Sequence, residues 1–273
     1  TVRLQTASGE AVTSGLLGTG MQLVLVNSFD EVIDRLTVAV PGDLDGDGLH
    51  TVNDYVQLIR LLELPDGFSA AQGLAADFNG NGHVSDNDLR DLRTELFRTG
   101  TDTRIDESRD FLALLSVPEI FYVGDTVTVM LAAYLGDDSA VDGILADVRF
   151  DPQQLTLQSV NPLNCTLESD ISRAAEGEIR LLSHSKTGDG TVFAVLTFQI
   201  SDDLEEGEQV GLVMTGASAA YDGVCRSSPE RDNSRAARKP TGDESFMLRF
   251  PNAPVDFDPA VYEYDVLLPE DQP

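Results

Sequence analysis

The stretch Gly42 to Asp54 reads GDLDGDGLHTVND, and a second stretch of the same character, DFNGNGHVSDND, runs from Asp77 to Asp88. In both, side chains with oxygen atoms recur at alternate positions, and the second copy begins 34 residues after Asp43. Neighbouring carboxylates repel one another, and glycine loses more backbone entropy on folding than any other residue. Because a bound cation would offset both effects, the repeated pattern predicts two metal-binding loops.

The spacing is that of the twelve-residue calcium loop of EF-hands, in which positions one, three, five, nine and twelve offer side chains and position seven a carbonyl. Gly48 and Gly82 stand at the sixth position, where the loop turns sharply. Ordinary surface turns are the alternative, but a second copy at the same spacing favours calcium. The predicted ligands of two Ca²⁺ ions are Asp43, Asp45, Asp47, Leu49 through its carbonyl, Thr51 and Asp54, and then Asp77, Asn79, Asn81, His83 through its carbonyl, Ser85 and Asp88.

Each loop leads directly into a pattern with the period of a helix. Tyr55, Leu58, Ile59 and Leu62 form one apolar stripe, and Leu89, Leu92 and Leu96 repeat it. The residues before Asp43 read LTVAVPG, a β-branched run ended by proline and glycine, so no helix is expected to enter the loop. Each unit is therefore predicted to be a loop followed by one exit helix.

This duplicated arrangement, with Asp at the twelfth loop position, resembles the dockerin family over residues 41–98. The motifs GDLDGDG with VND and AADFNGNG with DND match its two half-repeats, and FSAAQGLAA fits its short linking helix. The resemblance implies a small α-helical module, residues 42–99, that folds around calcium and binds a cohesin-bearing protein. It further implies that the partner is contacted by loop positions ten and eleven and by the exit helices, here Val52, Asn53, Arg60, Leu61, Asp86, Asn87, Thr94 and Glu95.

The two copies differ at these contact positions. Val52 in the first copy corresponds to Asp86 in the second, and Arg60 and Leu61 correspond to Thr94 and Glu95. An apolar valine and a charged aspartate do not suit the same pocket, because a buried unpaired carboxylate is unfavourable. We therefore expect a single docking mode that uses one helix far more than the other.

From Phe111 to about Val224 the pattern changes to short β runs separated by turn residues, which predicts an antiparallel sandwich or barrel. The ordered motifs VGDTVTVMLAAY, VDGILADVRFDPQQLTLQSV and GEIRLLSHSKTGDGTVFAVLTFQI are similar to those of the cohesin family. That resemblance implies a jelly-roll β-sandwich over residues 109–225 that binds dockerin-bearing proteins. The expected fold class is thus multidomain and mainly β, with a cohesin-like jelly-roll β-sandwich and a small α-helical dockerin that carries two EF-hand-like calcium loops.

Three further segments flank these modules. Residues 1–41 resemble part of the small β module that often precedes dockerins, and residues 245–273, with FDPAVYEYDV, resemble the opening of a cadherin-like β-sandwich repeat. The intervening residues 226–244 carry many charges and almost no apolar side chains. Their composition predicts a flexible linker.

The charge balance restricts the partners. The chain has 18 Lys and Arg against 47 Asp and Glu, a formal net charge of -29. Such a chain is poorly suited to bind nucleic acid phosphates or anionic lipid surfaces, and no apolar run is long enough for membrane insertion. Because loops of this kind suit millimolar calcium, we expect an extracellular or bacterial cell-surface location.

The remaining sequence signals leave two alternatives open. Cys165 and Cys225 are either joined in a disulfide or are two buried thiols, and no CxxC spacing indicates a metal site or a redox motif. No nucleophile, acid or base is identifiable, so the protein is expected not to be an enzyme.

The predicted function is noncatalytic assembly or adhesion through calcium-dependent cohesin–dockerin contacts, on a bacterial surface or in a cellulosome-like complex. The alternative is a sandwich that binds carbohydrate, with the dockerin as a calcium-stiffened spacer. Flat aromatic platforms are common in carbohydrate modules, but the chain has no tryptophan. Phe150, Phe193 and Phe198 lie in apolar runs where core packing is expected, which makes a polysaccharide the less favoured partner.

Overall fold

The computed structural model describes residues 1–102, 104–105, 111–135, 141–163, 165–184 and 192–240, together with the backbone of 249–250 and 253–254. A small β-sheet, a helical segment and a β-sandwich follow one another along the chain. The architecture is mainly β, as expected. None of the helices in the described ranges is long and apolar enough to cross a membrane.

The N-terminal sheet has three antiparallel strands in the order β1-β2-β3. The strands are β1 Val2–Gln5, β2 Gln22–Val26 and β3 Val32–Thr37. Every residue of β3 is exposed, so this strand is held by its ladder to β2 rather than by apolar burial. The β structure expected for the first 41 residues is present.

The helical segment has the predicted loop and exit-helix order, and its elements are α1 Val52–Glu63, a 3-10 turn at Pro65–Gly67, α2 Ala70–Ala76 and α3 Asp86–Thr99. Thr51 and Ser85 cap the two exit helices. The backbone N–H of each cap residue donates to the carboxylate at the twelfth loop position, and the hydroxyl oxygen of the cap residue accepts from the backbone N–H of that same acid. Capping boxes of this kind satisfy backbone N–H groups that the first helical turn leaves unpaired. No helix enters the first loop, which follows β3 and a short connection, as predicted. The expectation of a loop with an exit helix alone is wrong for the second loop, because α2 ends at Ala76 and has Asp77, the first loop residue, as its C-cap.

The sandwich consists of two main antiparallel sheets and a small third one. The first sheet has the order β14-β13-β7-β10-β9, with β15 paired to β13, and the second has the order β4-β6-β11-β8. The small sheet, β12-β16-β5, contains a parallel pair between β16 and β5. The strands are β4 Phe111–Ser116, β5 Phe121–Tyr122, β6 Thr126–Leu135, β7 Gly143–Phe150, β8 Leu155–Pro162, β9 Thr166–Asp170, β10 Glu178–His184, β11 Val192–Ile200, β12 Gln209–Val210, β13 Leu212–Tyr221, β14 Val224–Ser228, β15 Arg231–Asp232 and β16 Arg235–Arg238.

A single apolar core fills the space between the two main sheets. Phe193 and Phe198 are fully buried there, and Phe150 packs edge-on against Phe198 with ring centroids 5.0 Å apart. Side chains alternate along β6, with Val127 and Val129 facing the core and Met130 exposed, as the two-residue period of a strand requires. The phenylalanines expected in the core are therefore confirmed there.

The linker expected at residues 226–244 is wrong for residues 226–238, which contain three short strands. Val224–Ser228 pairs with β13, Arg231–Asp232 extends the same edge, and Arg235–Arg238 pairs with β12 and β5. Ala237 is fully buried in the sandwich core. Composition missed these strands because they are short and are held by ladder hydrogen bonds to distant strands. β14 and β15 lie at a sheet edge, where charged residues are tolerated, whereas β16 lies between β12 and β5.

The cadherin-like resemblance at residues 245–273 falls almost wholly outside the described residues. Only β17 Arg249–Phe250 and β18 Ala253–Pro254 are described there, as one short antiparallel pair.

Both cysteines are free thiols, Cys225 buried and Cys165 half-buried. Cys165 immediately precedes β9 and Cys225 lies in β14, and these are the two edges of the five-strand order β14-β13-β7-β10-β9. Strands lie about 4.8 Å apart, which separates the edges by roughly 19 Å. A disulfide needs Cα atoms within about 7 Å, so of the two alternatives the structure has the thiols.

Candidate calcium centre and docking helix

The first loop gathers three carboxylates around one point. Asp43, Asp45 and Asp47 each offer an oxygen within 4.8 Å of the other two. Calcium binds oxygen at about 2.3–2.6 Å, so one ion placed among them reaches all three. The donor set of hard, anionic oxygens fits Ca²⁺.

Asp54 closes this loop at its twelfth position. Its Oδ1 accepts hydrogen bonds from the backbone N–H groups of Leu44 and Asp45 at 2.7 and 3.2 Å, and its Oδ2 accepts from the N–H and hydroxyl of Thr51 at 2.8 and 2.9 Å. The carboxylate is fully buried. Asp54 thus holds the two ends of the loop together at the start of α1.

Three carboxyl groups of this loop, those of Asp45, Asp47 and Asp54, have raised pKa values. Burial raises the pKa of Asp45 to about 6; the hydrogen bond from Asn53 opposes that rise and the nearby charge of Asp47 adds to it. Burial, followed by the charge of Asp45, raises the pKa of Asp54 well above its usual value. These acids hold their charge poorly when they have only one another as neighbours, and a divalent cation would reverse that preference.

The second loop repeats several of these hydrogen bonds in a more open setting. Asp77 accepts from the N–H groups of Asn81 and Gly82 at 3.0 and 2.7 Å, and the Asn81 side chain accepts from His83 N–H at 2.9 Å. Asp88 accepts from Asn79 N–H and from Ser85, as Asp54 does in the first loop. Asn79, Asn81 and His83 are exposed.

The N-terminal segment covers the first loop only. The Thr19 N–H donates to Asp43 Oδ2 at 2.8 Å. Gly48 has a φ of +79°, and a methyl group there would lie 2.6 Å from Leu16 Cβ, whereas at Gly82, with φ +87°, nothing lies within 4 Å. Both glycines therefore make the sharp turn predicted for the sixth position, but only the first is enclosed.

Helix α1 lies on the sandwich, against β7, β13 and β14. Val52 and Asn53 are buried, and the Asn53 amide donates to Gly223 O at 2.9 Å and to Asp45 Oδ2 at 2.7 Å. Arg60 forms an ion pair with Asp142 at 2.7 Å. Leu61 is buried in an apolar cluster that the helical segment shares with the sheet.

The corresponding residues of α3 have different surroundings. Asp86, Asn87 and Thr94 are exposed. Glu95 pairs with Arg98 on its own helix, and this hydrogen bond lowers the pKa of the Glu95 carboxyl. The structure therefore brings the predicted contact residues of the first copy together against the sheet and leaves those of the second copy apart from it.

Sequence reasoning missed the face of the sheet that receives α1. It consists of Leu145, Leu182, Ala220 and Cys225, which share one buried cluster with the helical segment. A signal was available, because β7 reads GILADVRF and is apolar on both faces in its first half. An antiparallel strand with one face in water alternates strictly, so consecutive apolar residues indicate cover on both sides.

Comparison with protein families assigns both main segments. Residues 41–96 match the model of the dockerin type I domain, and residues 115–226 match the model of the cohesin domain. Among curated proteins, none matches the chain.

Solved cohesin structures resemble about half of the chain. A cohesin module from a family 33 glycoside hydrolase of Clostridium perfringens is 14% identical, covers 49% of this chain and 100% of its own, and has a TM-score of 0.42. The seventh ScaB type I cohesin of Pseudobacteroides cellulosolvens is 17% identical, covers 49% and 96%, and has a TM-score of 0.39. A type I cohesin–dockerin complex from Clostridium thermocellum is 16% identical, covers 51% and 99%, and has a TM-score of 0.39.

At these TM-scores the assignment depends on the family models. The helical segment has the loop and exit-helix units expected of a dockerin, and the sandwich has the antiparallel sheets expected of a cohesin. The chain thus combines a segment matching the dockerin type I domain with a segment matching the cohesin domain, the two noncatalytic modules of cohesin–dockerin protein–protein interaction.

Proposed function

We propose that this protein is a noncatalytic assembly protein whose calcium-loaded dockerin segment and cohesin segment mediate cohesin–dockerin contacts outside the cell, on a bacterial surface or in a cellulosome-like complex. The observation that carries the proposal is the group of Asp43, Asp45 and Asp47 oxygens within 4.8 Å of one another, at the start of a capped helix. Folding of such a loop is coupled to metal binding. Docking through α1 would therefore require calcium.

Two ions are proposed, one in each loop. The ligands are those at positions one, three, five, seven, nine and twelve of Asp43–Asp54 and Asp77–Asp88. The first loop contributes four carboxylates and the second two, and affinity depends partly on ligand charge. The first ion is therefore expected to bind more tightly.

The test is titration of the full chain with calcium, followed by titration with purified cohesin-bearing and dockerin-bearing proteins in calcium and in chelator. We expect calcium uptake in two unequal steps and protein binding only in calcium. Absence of calcium uptake would refute the proposal. Calcium uptake with no binding to either class of protein would instead favour the calcium-stiffened spacer.

Polysaccharide binding is the weaker candidate. Among the described residues the exposed aromatic side chains are Phe29 and Tyr134, which lie in different modules and form no common platform. Retention of the full chain on insoluble cellulose, equal in calcium and in chelator, would favour this alternative over protein assembly.

A further inference from the structure

The outer face of the six-stranded sheet has an occupant within the same chain. Leu145, Leu182, Ala220 and Cys225, which we call the outer sheet face, are each at most 7% exposed. They point away from the core between the sheets and belong instead to the apolar cluster of the helical segment. A sheet face of this character on a free sandwich would be an exposed apolar patch, which soluble proteins rarely leave uncovered.

The covering surface is one side of α1. A methyl group built on Gly143 would lie 2.7 Å from Val56 Cγ2 and 3.2 Å from Val52 Cγ2, so the helix rests where β7 has no side chain. Tyr55 stands edge-on to His184 of β10 with ring centroids 6.1 Å apart. The contact is therefore closely packed along its centre.

Polar contacts surround this apolar centre. The Asn53 amide donates to Gly223 O, and Arg60 pairs with Asp142 at the opposite end of α1. On the neighbouring helix α3, Arg93 pairs with Glu168 of β9 at 2.8 Å. An apolar centre with a polar rim is the usual anatomy of a specific protein interface.

The connection between the two modules lies on the same sheet. The Thr101 N–H donates to Asp147 Oδ2 at 2.9 Å, and the Ser227 hydroxyl donates to Ile105 O at 3.1 Å. Ile105 is buried in the shared cluster. A tether this short gives an intramolecular partner an effective concentration of about millimolar or more, so contact within one chain is favoured over contact between chains.

From this juxtaposition we infer that the dockerin segment docks in cis, through α1, on the outer sheet face of its own cohesin segment, and closes that face to dockerins of other chains. The inference rests on the proposed function, since it names the partner of the same docking helix.

Only the first repeat is suited to this place. A half-turn of the dockerin segment would replace Val52 and Val56 by their counterparts, Asp86 and Arg90. Both counterparts are exposed in the structure. Placing them against Leu145 and Ala220 would bury charges without partners, which is strongly unfavourable.

Cys225 reports whether the contact is closed. Its thiol lies beneath the start of α1, beside Thr51 and Asn53. In a full-length Cys165→Ser variant, Cys225 is the single thiol, and its rate of reaction with a maleimide measures opening of the contact. We expect slow labelling in calcium and fast labelling in chelator.

A variant on the sheet side tests the contact directly. Leu145→Glu places a charge beneath α1 and should raise the labelling rate in calcium about tenfold or more, because an unpaired buried carboxylate is unfavourable. The matched control is Met130→Glu on the outer side of the other sheet, where Met130 is 38% exposed; it should leave the rate unchanged. A parental rate in calcium equal to that of Leu145→Glu would overturn the inference.

A charge exchange keeps the test valid if Leu145→Glu fails to fold. Arg60→Glu should raise the labelling rate about two- to fivefold, and adding Asp142→Arg should restore it. Absence of this rescue would overturn the contact.

Light scattering must show a monomer, because slow labelling in a dimer would mean that docking occurs between chains. Since calcium uptake is measured separately, a fully labelled thiol in a calcium-loaded chain refutes cis docking alone, whereas absence of uptake refutes the proposed function.

Discussion

The two dockerin repeats share one local plan but have opposite surroundings. Both have a capped exit helix and a left-handed glycine at the sixth loop position. The first loop lies beneath the N-terminal segment and its helix is covered by the sandwich, whereas Asn79, Asn81 and His83 of the second loop are exposed. The shared cap and turn therefore occur once in an enclosed loop and once in an exposed loop, and the two copies differ in their neighbours.

The side chains follow these surroundings. Val52 is fully buried and its counterpart Asp86 is exposed; Val56 is buried and its counterpart Arg90 is exposed. Residues shared by the repeats serve the loop itself, and residues that differ meet different environments. Paired substitutions at equivalent positions of the two repeats separate the contribution of the loop itself from the contribution of its surroundings.

The largest expected effect is that of calcium removal. Chelation should unfold most of the helix in residues 42–99, because an ion at a thousand times its Kd stabilises the folded state by about 4 kcal/mol. Asp43→Asn should weaken the tighter of two calorimetric steps, and the matched Asp77→Asn should weaken the other. Circular dichroism that is insensitive to chelator would contradict this expectation.

The second-largest expected effect is the loss of stability on substitution of the equivalent glycines Gly48 and Gly82. Alanine at either position must adopt a left-handed backbone, at about 1–2 kcal/mol. Gly48→Ala must also displace Leu16, whose Cβ lies 2.6 Å from the added methyl group, and overpacking adds about 1–3 kcal/mol. Urea unfolding in calcium should show the larger loss for Gly48→Ala than for Gly82→Ala, and equal losses would mean that the N-terminal segment does not enclose the first loop.

Substitution of the equivalent asparagines Asn53 and Asn87 should give a smaller difference in stability than substitution of the glycines. Asn53→Ala removes two hydrogen bonds, to Asp45 and Gly223, in a buried setting, and a buried group left without its partner costs about 1–3 kcal/mol. Asn87→Ala changes an exposed side chain and should stay within about 0.5 kcal/mol. Thermal unfolding of both variants in saturating calcium makes the comparison. An Asn53→Ala variant with unchanged stability would show that the Asn53 hydrogen bonds do not contribute to the interface.

The smallest expected effect concerns the ion pair between Arg60 and Asp142. Because the Arg60 side chain is 47% exposed, solvent screens the pair, and a double-mutant cycle should give a coupling of about 0.2–1 kcal/mol that fades at high salt. The counterpart Thr94 should show no coupling to Asp142. A coupling of equal size at Thr94 would show that the two helices are not distinguished in this way.

Several features follow from local sequence signals. The EF-hand spacing and the apolar stripes predicted α1 and α3, and GILADVRF and TVTVMLAAYL coincide with β7 and β6. Helix periods, capping residues and strand alternation act over a few residues, so they can be read from the chain directly. The short strands in 226–238 escaped prediction, because ladder hydrogen bonds to distant strands hold them and leave no mark on composition.

What the sequence by itself determined is the pair of calcium-loop templates, their exit helices, the alternating strands and the acidic balance. The loops, helices and strands depend on residues that are near one another in the chain, and the acidic balance is a property of composition alone. Only the tertiary structure decided that the first loop is enclosed, that Cys165 and Cys225 lie at opposite sheet edges, and that α1 covers Leu145 and Leu182. Those features depend on which distant surface removes a given apolar side chain from water, and burial of this kind has no fixed spacing along the chain.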